Sequence, residues 1–295
     1  MSDVLIRAIA ADGAVLGCAA ITTTVTEEAR VRHGTLPTAT AALGRTLAAA
    51  AMLGSGLKDQ QTVMVRVLGD GPIGPLVAES TADGALRGYA TNPQTDLPPT
   101  PSRKLDVGGA VGQRGTFHVT RDVGLRDPYQ GSVPLVSGEI GEDLAAYLAG
   151  SEQVPSVVGV GVLVGSGGVV QAAGGFMLQM MPGAPREVPE YLEQRARVLP
   201  TVTQMVSGGA SAEDMLTTVL GNLRISVLEN RQVRFACRCN VEKVTRVLVA
   251  LGRAEMERLL RQEGRVEVQC RFCGAKYLFG GGDVDALFAD ALETP

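Results

Sequence analysis

Four of the five cysteines lie in two short pairs near the C-terminal end, Cys237-Arg238-Cys239 and, thirty residues later, Cys270-Arg271-Phe272-Cys273-Gly274. Two thiol pairs that can each straddle one ion suit a tetrahedral site with four sulfur ligands, Cys237, Cys239, Cys270 and Cys273, and zinc is the expected metal. The C-x-x-C-Gly pair has the usual knuckle spacing. The C-x-C pair does not suit a purely structural site. With one residue between them, its sulfurs can join each other only through a small strained ring, and strained disulfides are the labile ones. The spacing therefore predicts an ion that oxidation can displace. The segment is about sixty residues long and poor in aromatics. Domains of that size bury barely enough apolar surface to fold alone, so metal binding and folding are expected to be one event.

The chain of 295 residues has room for one large or two modest domains. Aromatic residues make up 4% and there is no Trp, so the cores must be built from Ala, Val, Leu and Met. No long apolar run free of charge or Gly predicts a membrane span. The N-terminus lacks the basic and apolar regions of an export signal, so the expected location is the cytoplasm. In a reducing compartment, metal binding or redox sensing is favoured over structural disulfides. The net charge of −4 is uneven: residues 231–280 hold eleven Lys/Arg against five Asp/Glu. A basic metal module on an acidic body keeps open a second reading, a zinc-ribbon nucleic-acid-binding protein.

The remaining pattern predicts an α+β protein. Its expected parts are a mixed α/β core domain over residues 1–182, a helical linker over 183–229 and a zinc domain over 230–295. Two strand-like runs flank Asp12-Gly13, a hairpin turn signal. Thr26-Glu27-Glu28 is positioned to cap a helix ending at His33-Gly34, and Pro37 opens an Ala/Leu helix over 38–53. Strands are expected at 62–68, 74–80, 86–91, 115–121, 132–136, 157–164 and 169–181, with a helix at 142–151. Gly165-Ser166-Gly167-Gly168 lacks the Lys and Ser/Thr of a phosphate loop and reads as a turn. The linker reads as a helix over 187–205 interrupted by Pro200, then a short helix capped by Ser211. Its apolar stripe is Val188, Tyr191, Leu192, Val198, Leu199, Val202 and Met205. In the zinc domain Asn240 caps a helix stopped by Gly252. A second helix spans 254–261, strands span 265–269 and 275–279, and a last helix spans 284–292.

Neither histidine reads as catalytic: His33 suits a helix C-terminus, and His118 lies in a strand with no nucleophile motif around it. Cys18, in an apolar strand, reads as a small buried residue. A thiol oxidoreductase built on Cys270 and Cys273 would need its C-x-x-C at a helix start, whereas the flanking pattern here is that of a β-knuckle. No catalytic residue and no nucleotide loop are identified, so a role other than an enzyme's is expected.

On these residues the chain resembles the redox-regulated heat-shock chaperones of the 33-kilodalton class. The cysteine pattern before Tyr277-Leu278-Phe279 matches that family's zinc signature. Residues 147–155, YLAGSEQVP, match its Y-F-x-x-S-E-Q-x-P stretch with Leu148 in place of Phe, and residues 173–182, AGGFMLQMMP, match the strand that closes its core domain. The resemblance implies an ATP-independent holdase that is inactive when reduced and bound to one zinc per chain. Under peroxide or hypochlorite with heat it would form the disulfides Cys237–Cys239 and Cys270–Cys273 and release zinc. The zinc domain and linker would then unfold, and homodimers would bind unfolding client proteins, with no nucleic acid and no membrane involved.

Overall fold

The computed structural model describes residues 2–290. The chain divides into two compact units, one ending at Ala236 and one beginning at Cys237.

The first unit opens with the hairpin β1 (Val4–Ala10) and β2 (Val15–Ile21), whose turn holds Asp12 and Gly13 at positive φ as expected. Helices α1 (Thr23–His33) and α2 (Pro37–Leu53) follow. Helix α1 begins three residues before the expected cap. Its first amides are satisfied from another element: the carboxylate of buried Asp3 accepts from Thr24 N at 3.1 Å and Val25 N at 2.7 Å. Then come β3 (Thr62–Gly69), β4 (Leu76–Thr81), β5 (Ala85–Ala90), the short α3 (Val107–Val111), β6 (Gly115–Asp122), β7 (Tyr129–Pro134), α4 (Gly141–Gly150), β8 (Ser156–Val164) and β9 (Val170–Met180). Residues 165–168, Gly-Ser-Gly-Gly, form the β8–β9 turn. Pro200 separates α5 (Glu187–Ala196) from α6 (Val202–Ser207). Helix α7 (Ala212–Leu220) has the expected Ser211 cap, which accepts from Asp214 N. Strands β10 (Ile225–Gln232) and β11 (Arg234–Phe235) end the unit.

Two sheets result, of order β10-β1-β2-β9-β8 and β11-β5-β4-β3-β6-β7. Helix α2 lies between them. All its residues are buried except Pro37 and Arg45. Its alanines let both sheets approach closely, and Gly44 leaves no room for a Cβ, which would meet Thr26 Cγ2 at 2.5 Å. The other face of the first sheet is covered by α5, α6 and α7. Leu192, Val202, Met205, Met215 and Leu216 pack there with Ile6, Ala8, Phe176 and Leu178. Buried on both faces, β2 and β9 read as continuous apolar runs rather than alternating ones.

Of the expected linker stripe, Leu192, Val202 and Met205 are buried, Val188, Tyr191 and Leu199 are partly covered, and Val198 is exposed. The division between units falls at Ala236 rather than at 229/230, because residues 225–232 are a strand paired antiparallel with β1 rather than the tail of a helical segment. Strand β10 is a half-exposed edge carrying Glu229, Asn230, Arg231 and Gln232, so it lacks the apolar signal by which strands are recognised.

The second unit contains α8 (Val241–Leu251), α9 (Arg253–Glu263), the hairpin β12 (Val266–Gln269) and β13 (Lys276–Phe279), and α10 (Gly281–Asp290). The expected end of the last helix, at 292, lies outside the described residues. The core of this unit is small: Val244, Leu248, Met256, Val266, Phe279 and Val284 are its buried members.

Candidate metal centre

Each cysteine pair is held by local backbone structure. Cys237 and Cys239 lie in the irregular segment before α8, whose start is fixed by the Asn240 side chain accepting from Lys243 N at 2.9 Å. Lys243 Nζ also donates to Arg238 O at 2.8 Å, tying the residue between the two cysteines to the helix. Cys270 and Cys273 occupy the β12–β13 turn. There Cys270 N donates to Ala275 O at 2.9 Å and Gly274 N to Cys270 O at 2.8 Å, with Gly274 at φ 72°. A left-handed residue at that position is what a tight knuckle requires, and Gly adopts it without strain.

The four Sγ atoms all lie within 4.8 Å of one another. Cys237 and Cys270 are 3.8 Å apart, and Cys239 and Cys273 are 3.3 Å apart. Tetrahedral ligation at a metal–sulfur distance of ~2.3 Å spaces sulfurs by ~3.8 Å, so the cluster has the size of one four-coordinate cage. The contacts at 3.3 and 3.8 Å join one knuckle to the other, as a single shared ion demands.

Electrostatics points the same way. Burial pushes the thiols of Cys270 and Cys273 above the ordinary thiol range. Four thiolates cannot share so small a space unless a cation neutralises them, and a coordinated thiol is deprotonated outright. An all-sulfur tetrahedral donor set is the chemistry of zinc or an iron–sulfur centre rather than of hard cations. The residues present therefore fit a soft or borderline metal ion.

The expected ligand set and the observed cluster are the same four residues. One contributor was not foreseen: the Tyr277 hydroxyl donates to Cys239 Sγ at 3.1 Å, and this bond holds the phenol in its neutral form. Tyr277 belongs to a strand legible in the sequence, but nothing in its spacing indicated a bond to sulfur. Cys18 is buried in the first unit, far in sequence from the cluster and outside it. His118 bonds Thr116 through Nε2 at 2.7 Å and joins no nucleophile. No helix among the described residues is long and apolar enough to cross a membrane.

Comparison with known proteins agrees with this geometry. The family model described as "Hsp33 protein" matches residues 3–280. The 33 kDa chaperonin of Desulforamulus reducens is 46% identical over 287 residues, covering 97% of each chain. That of Bacillus cytotoxicus is also 46% identical, over 97% of this chain and 99% of its own. The crystal structure of the 33 kDa chaperonin (heat shock protein 33 homolog) from Thermotoga maritima superposes with a TM-score of 0.93 at 36% identity, over the whole of both chains. With an α+β fold, a C-terminal cluster able to hold a metal ion and relatives matching over nearly its full length, the chain belongs to the Hsp33 family of heat-shock chaperones.

Proposed function

We propose that the chain is an ATP-independent holdase switched on by thiol oxidation. The observation that carries this reading is the cage of Cys237, Cys239, Cys270 and Cys273, set in a unit whose own apolar core is too small to hold it folded. The ion is zinc, one per chain, in the reduced state. Bound there, it supplies the charge that lets four thiolates sit together.

Activation removes the donors. Each cysteine pair, Cys237–Cys239 and Cys270–Cys273, gives two electrons to one peroxide. An S–S bond forms, the O–O bond breaks and, with two protons taken from solvent, two waters are released. Disulfide sulfur is a poor ligand, so the chain loses its hold on the metal, and the second unit loses the larger part of its folding energy. The helical part of the linker, α5 to α7, then leaves the first sheet. Departure of α5 to α7 bares the apolar face now covered by Leu192, Val202, Met205 and Leu216, and unfolding client proteins bind it. The active form is a homodimer in the cytoplasm, and no enzymatic step is involved.

Ion pairing in the second unit weighs against the nucleic-acid alternative. Arg246, Arg253, Arg258, Arg261, Arg265 and Lys276 each face a carboxylate of the same unit, which leaves little unneutralised charge for phosphates. The deciding experiment follows aggregation of a thermally unfolding client with reduced and with peroxide-treated protein, with zinc release measured alongside. Oxidised protein should suppress aggregation at near-stoichiometric ratio. Zinc release without any gain in suppression would falsify the reading.

A further inference from the structure

Strand β8 forms one edge of the first sheet, paired with β9 on one side only. Its sequence from Ser156 to Val164, SVVGVGVLV, has no charge and no proline. Among the described residues, none of its backbone groups pairs with an element other than β9. Proteins usually blunt such an edge with Lys, Pro or a bulge, because a row of unpaired N–H and C=O groups recruits another strand. The irregularity in β8 lies at its far end, between Leu163 and Val164, and leaves the middle of the edge regular.

We propose that the edge is the seat of a second copy of this chain, joined through antiparallel β8–β8 pairing about Val160. The proposal deepens the homodimer of the preceding section and rests on that reading. Two features select a second copy over an arbitrary strand. First, the sequence is nearly symmetric about Val160. Antiparallel self-pairing sets Gly159 against Gly161, Val158 against Val162 and Val157 against Leu163. Like sizes meet, and each opposed pair shares one face of the sheet, as a two-fold contact requires. Second, the rim beside Val158 and Val160 offers charges of both signs. Lys104 and Glu142 border the same open cleft of about 410 Å³, both are exposed, and neither has an ion-pair partner among the described residues. A two-fold axis at Val160 brings the ammonium of each copy toward the carboxylate of the other.

The pairing also has a reason to await oxidation. Pro189, Leu192 and Glu193 of the α5 segment flank Ser156 and Val157, so one end of the edge is crowded while α5 is docked. Release of the linker frees the strand along its full length. The product is a continuous ten-stranded sheet, five strands from each copy.

The test measures dimerisation, amide exchange and client suppression in parallel. Oxidised protein should sediment as a dimer, and the outward amides of 157–164 should exchange more slowly than in the reduced monomer. Leu163→Lys, at an exposed position on the strand, should weaken the dimer about tenfold or more by setting a charge against Val157 of the other copy. A dimer whose β8 amides exchange no more slowly, or one indifferent to Leu163→Lys, overturns the pairing, as does protein that stays monomeric. Slowing of these amides only when a client is added also overturns it, by assigning the edge to clients. The exchange measurement needs no variant and stands even if the Lys substitution misfolds. Client suppression by a dimer with unprotected β8 amides would leave the holdase reading intact, whereas a protected dimer that suppresses nothing would remove the holdase reading alone.

Discussion

Arg234 holds Asp83 at two points, donating from one guanidinium nitrogen to the carbonyl at 2.9 Å and from another to the carboxylate at 2.5 Å. The contact fastens β11 beside β5, two residues before Cys237. Both side chains are more than half exposed, and ion pairs of that kind contribute about 0–1 kcal/mol. The stronger fastening is backbone. Arg234 N and Ala236 N donate to Gly84 O and Leu86 O, and Arg32 stacks over the Phe235 ring at 5.1 Å. Gly84 makes the approach possible: it has φ +80°, and a Cβ there would meet Gln232 O at 2.2 Å. Gly84→Ala should therefore destabilise the first unit by about 1 to 3 kcal/mol and raise hydrogen exchange at 233–236. Asp83→Asn should cost under about 1 kcal/mol. Equal effects in urea unfolding would show that the side-chain pair, not the close backbone approach, holds the strap.

Metal removal should unfold the second unit and spare the first. Chelation of the reduced protein should abolish protease resistance from Cys237 onward while leaving the first unit protected, because its two sheets share large cores of their own. Sulfur-held zinc contributes on the order of 10–16 kcal/mol of apparent folding energy in small domains, more than the six buried core residues described in the second unit supply. Circular dichroism that stays unchanged on chelation would mean that the apolar core alone suffices.

The parts of this architecture that were legible in the sequence are those whose signal is local. Four cysteines at knuckle spacing named the cage, Asn240 and Ser211 named helix starts, and Asp12-Gly13 named a turn. Each is a short-range constraint that tertiary contacts cannot reverse. Three features were not legible because their partners lie far away in the chain. Helix α1 starts at Thr23 because Asp3, twenty residues earlier, supplies its cap. Strand β10 exists because β1 offers an edge; in isolation its polar half resembles a loop. Helix α3 contains Gly108 and Gly109, poor helix formers, and the carboxylate of Glu139, thirty-one residues further on, accepts from Gly108 N at 3.2 Å. The bond from Tyr277 to Cys239 was invisible for the same reason.

Cys18 should behave unlike the other four cysteines. It is buried in the first unit's core, and burial pushes its thiol up to about 12. At pH 8 about one molecule in ten thousand would carry the reactive thiolate there. Iodoacetamide should label Cys237, Cys239, Cys270 and Cys273 once the metal is chelated, and should reach Cys18 only on global unfolding. The raised value also fixes a sign. The neutral thiol is favoured in the fold, so its contribution is fully present below the unfolded thiol value of ~8.5 and is lost as pH rises toward about 12. Mass spectrometry after limited alkylation reads this directly. Rapid labelling of Cys18 in folded protein would mean that the core around it opens.

Asp143 should be the most costly single position outside the cores. Fully buried, it accepts from Val136 N at 2.7 Å and Ser137 N at 3.2 Å through one oxygen and from Ile140 N at 2.9 Å through the other. These bonds hold Ile140 at φ 71°, a conformation that a β-branched residue adopts only when its surroundings impose it. Asp143→Ala would leave several buried amides without acceptors and release that strain at once. Bonds to a charged acceptor contribute about 1.5–3 kcal/mol each, against about 1–3 kcal/mol of relieved strain. The bonds outnumber the strain, so a net loss of about 3 kcal/mol is expected in denaturant unfolding. The companion Ile140→Gly removes the strain and keeps the bonds, but gives up a fully buried side chain. It should still lose about 2–5 kcal/mol through lost packing. If Asp143→Ala proves neutral while Ile140→Gly is costly, the loop is held by the Ile140 side chain, and the carboxylate is not its anchor.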